Sequence, residues 1–117
     1  MMSMTTISTK AELGIVQQAL DEKHGEDIRV LDLTRVSDSL EYFVICTANS
    51  QPQLHALEAN LSDKLKEAGL RPLGVEGPSS RWVLVNLGAI IVHLMSAEAR
   101  EFYDLEGLWA DATPVLL

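Results

Sequence analysis

Residues 42–65 read YFVICTANSQPQLHALEANLSDKL, and the fold class turns on them. Tyr42, Phe43, Val44, Ile45 and Cys46 form an apolar run without polar alternation, the pattern of a strand buried on both faces and so central in its sheet. Ser50 then offers a hydroxyl to the open amides of a first helical turn, and Pro52 fits that turn because its missing N–H costs nothing there. Leu54, Leu57, Leu61 and Leu65 follow at steps of three and four, so they share one helical face. A buried strand leading into an amphipathic helix is an α/β unit, and the rest of the chain must cover both.

Upstream, Ile28, Val30, Leu31 and Leu33 form a second β-rich run, joined to Tyr42 by a polar link over 34–40. Before it, Thr9 and Glu12 have capping-box spacing, and Leu13, Val16, Ala19 and Leu20 fall on one face of the helix they open. Gly25 is the expected stop of that helix. Downstream, Gly69 ends the leucine helix, a short strand runs through Val75, and residues 77–80 (GPSS) form a turn. Runs at 82–85 and 90–95 flank Asn86-Leu87-Gly88, a hairpin with Gly88 at the turn position that only glycine takes freely. Ser96 caps a last helix carrying Phe102, Tyr103 and Leu105. This order predicts an α/β fold of the mixed α+β kind, a single mixed sheet of about five strands flanked by helices. Residues 1–9 are expected to be a flexible lead-in, 10–110 a single domain and 111–117 a short tail.

The composition suits one globular core, with 117 residues of which 47% are hydrophobic and 22% charged. Nine basic against seventeen acidic side chains give a formal charge of −8, a field that repels phosphate backbones and draws basic partners. Direct nucleic-acid binding is therefore not expected. The single cysteine, Cys46, cannot form an intramolecular disulfide, and no run approaches the roughly twenty apolar residues that span a bilayer, so a cytoplasmic, membrane-free protein is the expectation.

Several blocks carry a family likeness. They are Glu26-Asp27-Ile28 with Val30-Leu31-Asp32, residues 42–47, Arg71-Pro72-Leu73, Val75-Glu76-Gly77, residues 81–85, Val92-His93, residues 102–106 and Leu108-Trp109. In this order, over about residues 10–110, the chain resembles the ribosomal silencing factor family, also called RsfS or Iojap. The resemblance implies a nucleotidyltransferase-like fold and a translational repressor that binds the large ribosomal subunit through its fourteenth ribosomal protein, a basic partner. It also implies steric blocking of small-subunit joining when nutrients are scarce. One departure is Asn86-Leu87-Gly88-Ala89, where many relatives read Asp-Leu-Gly-Asp, so two carboxylates near the implied contact are missing.

Strand alternation puts Trp82, Leu84 and Asn86 on one face and Ile91, His93 and Met95 on one face of the next strand. If the two faces coincide they form a candidate partner-binding patch centred on Trp82, with Glu76 as an acidic neighbour that speeds encounter. The competing reading of the same side chains is core packing. Tyr103, Leu108 and Trp109 pack the last helix on the sheet or, as the resemblance leaves open, join two copies in a homodimer. His93 reads as a hydrogen-bonded core histidine, His24 and His55 as surface residues and Cys46 as an inert small hydrophobe. An enzyme of nucleotidyltransferase type needs two carboxylates spaced by two on a strand, but after Ser37, Asp38 and Glu41 come Tyr42 and Phe43. No catalytic residue, metal ligand or cofactor is therefore assigned. The alternative to the silencing reading is a non-enzymatic dimeric adaptor that binds some other basic protein.

Overall fold

A computed structural model describes residues 8–76, 81–109 and 112–115; the 77–80 turn and residues 1–7 of the lead-in lie outside them. The element order is α1 (Thr9–Glu22), β1 (Glu26–Asp32), β2 (Tyr42–Ala48), α2 (Gln51–Glu67), β3 (Gly74–Glu76), β4 (Trp82–Asn86), β5 (Ile90–Ser96), α3 (Ala97–Tyr103), α4 (Leu105–Leu108) and β6 (Thr113–Val115). The strands form one six-stranded sheet in the order β3-β4-β5-β2-β1-β6. It is mixed as expected, because β2 and β5 run parallel and the other neighbours antiparallel. β2 is interior and all seven of its residues are buried, as an uninterrupted apolar run requires. The sixth strand was not expected, since residues 111–117 read as a tail. Val30, Leu31 and Asp32 pair with Val115, Pro114 and Thr113 there, and Pro114 can donate no hydrogen bond, which suits an edge strand.

Ser50 and Ser96 cap α2 and α3 as expected, whereas at both ends of α1 the capping residue stands one position before the expected one. The cap of α1 is Ser8, which accepts from the Ala11 amide, while the Thr9 hydroxyl donates to Glu41 at 3.1 Å. α1 stops before Gly25, because His24 takes the left-handed conformation (φ 60°). The Gly25 amide then donates to the Leu20 carbonyl and the His24 amide to that of Asp21, closing a Schellman motif. Gly25 serves a different need, for a Cβ there would overlap the Cys46 sulfur. α2 ends the same way with Gly69 left-handed (φ 77°), and Gly88 (φ 93°) sits in the β4–β5 turn, where the Asn86 carboxamide oxygen accepts from its amide at 2.8 Å.

The two sheet faces are covered unequally. On one, Leu13, Val16, Ala19 and Leu20 of α1 and Leu54, Leu57, Leu61 and Leu65 of α2 bury the alternate residues Val44, Cys46, Val83, Val85, Val92 and Leu94. On the other, the described residues that cover Leu31, Phe43, Ile45, Ile91 and Met95 belong to the short α3–α4 arm, the segment at Ala112 and the β1–β2 link at Leu33 and Leu40. This second face positions the site.

Candidate functional site

Cross-strand register decides whether the two expected faces coincide. Trp82 lies opposite Met95, Leu84 opposite His93 and Asn86 opposite Ile91, so all six project to the thinly covered side. Glu76, opposite Leu84 on β3, stands on the same side and is exposed. The structure sorts these seven residues by depth. Met95, His93 and Ile91 are buried and form the floor of this face. Trp82, Leu84 and Asn86 are half-buried and, with Glu76, present surface. The Asn86 carboxamide oxygen is already engaged in the turn.

Aromatic rings cross this face as a connected row. Tyr103 lies 4.7 Å from Trp82, Trp82 lies 5.9 Å from His93, His93 lies 4.8 Å from Phe43, and Phe43 lies 5.2 Å from Trp109. Tyr103 and Trp109, considered separately for self-association, thus belong to the patch of Trp82. Leu108 does not join it and is 74% exposed. Phe102 extends the row outward, 5.0 Å from Tyr103 and 80% exposed. Sequence reading assigned Phe102 to the last helix without a role, and only the break after Tyr103 shows that it faces water.

Electrostatics fix the floor. The Trp82 indole N–H donates to Nδ1 of His93 at 3.2 Å, and burial lowers the His93 pKa to about 4. His93 is therefore a neutral core histidine that orients the tryptophan. Burial pushes the Cys46 thiol up to about 12, so it is no nucleophile at neutral pH. The arm beside the row carries the carboxylates Glu98, Glu101, Asp104 and Glu106, the last paired with Arg100. A cleft where β2 and β5 end is lined by Asn49, Ser50, Arg81, Ser96 and Glu98, the last its sole carboxylate among the described lining residues. No three His, Cys, Asp or Glu among the described residues are grouped to hold a metal ion. No described helix is long and apolar enough to cross a membrane.

Arg100 was also missed. It is buried on α3, and its guanidinium forks onto both oxygens of Glu106 at 3.0 and 3.1 Å. The spacing of six residues signals no helical pair; the two meet because Asp104 turns left-handed (φ 45°) between α3 and α4.

Comparison with known proteins adds three findings. The family model described as "Ribosomal silencing factor during starvation" matches residues 6–116. The ribosomal silencing factor RsfS of Bacillus subtilis is 39% identical over 107 residues, covering 91% of each chain, and the mouse "Mitochondrial assembly of ribosomal large subunit protein 1" is 31% identical over 88% of this chain and 47% of its own. A crystal structure from Chromobacterium violaceum superposes with a TM-score of 0.85 at 34% identity, covering 89% of this chain and 88% of that one.

Proposed function

Because this chain belongs to the ribosomal silencing factor family, we propose that it is a ribosome-associated translational repressor that binds the large subunit and blocks joining of the small one. The observation that carries the docking part is the half-exposed Trp82–Tyr103 pair, on the sheet face that no long helix covers and beside an acidic arm. The partner this chemistry fits is a basic ribosomal protein, and the fourteenth of the large subunit is the one the family likeness points to. Repression is then steric, acts under nutrient limitation and takes place in the cytoplasm. No chemical step is needed, and relatives carry regulatory rather than enzymatic names.

The test is co-sedimentation with isolated large and small subunits, followed by addition of the missing subunit. Binding to large subunits alone, with joining suppressed, supports the reading; indifference to both at low salt leaves the adaptor alternative. Within the same assay Trp82→Ala should weaken binding about thirtyfold, near 2 kcal/mol, if Trp82 is the anchor. A folded Trp82→Ala variant that binds like wild type moves the anchor elsewhere. Exposed Phe102 and Leu108 on the arm favour a second reading alongside the first, a homodimer joined through α3–α4, which sedimentation velocity decides.

A further inference from the structure

The α4 helix is four residues long, too short to hold itself by propensity, and its packing on the sheet comes from half-buried Leu105 and from Trp109 just beyond it. Its backbone bonds are local, from the Leu108 amide to the Asp104 carbonyl and from the Trp109 amide to that of Leu105. Among the described residues its polar connection to the body runs through Arg100. One side of its guanidinium, Nε and Nη2, takes the Glu106 carboxylate as a bidentate pair. The other side, Nη1, donates to the Asp27 carbonyl at 2.6 Å and to the Thr47 hydroxyl at 2.8 Å, with the Asp27 carboxylate 3.7 Å from Nη2. Asp27 is itself left-handed (φ 46°) at the bulge that opens β1, so the guanidinium ties a strained bend, the end of β2 and the arm together. Arginine does not deprotonate in proteins, and a buried guanidinium that loses its carboxylate must be rehydrated, which favours a single closed arrangement.

The geometry points to Arg100 as the positioning residue of the docking surface: through Glu106 it sets the arm so that Tyr103 stands against Trp82 and Trp109 against Phe43. This rests on the docking reading above. The bidentate fork matters because it fixes the direction as well as the distance of α4.

The experiment compares Glu106→Ala, Glu106→Gln and Glu101→Ala with wild type. These exchange carboxylates at or near the surface and leave Arg100 bonded to β1 and β2, so the sheet is retained. Two quantities are read, amide hydrogen exchange and affinity for isolated large ribosomal subunits. For Glu106→Ala, the Leu108 and Trp109 amides should exchange at least about tenfold faster with β2 and β5 unchanged, and affinity should fall about tenfold. Glu106→Gln keeps one acceptor for the fork and should lie between. Glu101→Ala removes the same charge from the same arm outside the fork, so it reads the contribution of that charge alone, and its loss of affinity should be smaller than that of Glu106→Ala. Equal losses from Glu101→Ala and Glu106→Ala would assign the effect to charge and overturn the inference, as would faster exchange with unchanged affinity. Unchanged exchange in Glu106→Ala overturns it too, since the fork then does not hold the arm. Trp82→Ala separates the two levels. If it weakens binding and Glu106→Ala does not, only the positioning role falls; if Trp82→Ala binds normally, the docking reading falls first.

Discussion

The Trp82 indole donates its proton to Nδ1 of His93, so the proton of the neutral imidazole sits on Nε2, a buried nitrogen without a partner among the described residues. Desolvation lowers the folded pKa from 6.5 to about 4. Between those values the unfolded chain binds a proton that the folded one refuses. Stability contributed by neutral His93 is thus complete above about pH 6.5, falls by up to about 3 kcal/mol as pH drops toward 4, and levels off below. Urea midpoints across that range should show the loss in wild type and lack this component in His93→Leu. Protonation would also turn Nδ1 into a donor and release the Trp82 bond. Gly25 makes a second prediction at this scale. Its missing side chain admits the Cys46 sulfur, with Leu57 and the Leu20 carbonyl also close to where a Cβ would stand. Gly25→Ala should therefore destabilise by about 1–3 kcal/mol in denaturant melts, an overpacking cost. Sequence reading gave Gly25 a helix-ending role from its type alone, and could not see the sulfur that needs the space.

Individual elements were legible where period and composition agreed. The leucine stripe of α2 and the buried run of β2 lie where their spacing puts them, because the stripe is buried against one surface and the run against both. The sequence predicts one helix through Leu105, since no glycine or proline marks the break; Asp104 makes it by adopting a left-handed backbone and capping the Gly107 amide. β6 has three residues including Pro114, too short for a periodic signal, and it exists because β1 offers an unpaired edge. The two sheet faces lead to a contrast between variants. Leu57→Ala empties a fully buried site beneath α2 and should cost about 2–5 kcal/mol of stability. Leu84→Ala, on the half-exposed face, should cost less than about 1 kcal/mol in the same melts yet weaken subunit binding.

At the scale of the whole molecule, the charge of −8 acts on encounter rather than on fold. Association with a basic partner should slow several-fold when ionic strength rises from about 0.05 to about 0.2 M, with dissociation little changed. Stopped-flow kinetics checks this, and a rate indifferent to salt would argue for a purely apolar contact. The unequal covering of the sheet is the other whole-molecule property. Among the described residues, two long helices lie on one face and no long helix on the other, which leaves an aromatic row half open where a third helix would have closed it.

By itself the sequence determined the mixed α/β class, the central place of β2, the helix faces and the acidic character, because these follow from local period and from summed charge. It also put Trp82, Leu84 and Asn86 on one face of β4 and Ile91, His93 and Met95 on one face of β5 by strand alternation, but that the two faces coincide came from the register of the folded sheet. Only the tertiary structure decided which of them are floor and which are surface, because depth depends on what lies above the sheet. The joining of Tyr103 and Trp109 to that patch, and the Arg100–Glu106 fork across a helix break, were equally beyond the sequence. They arise from contacts between segments whose separation along the chain carries no periodic signal, and the packing of the folded chain alone brings them together.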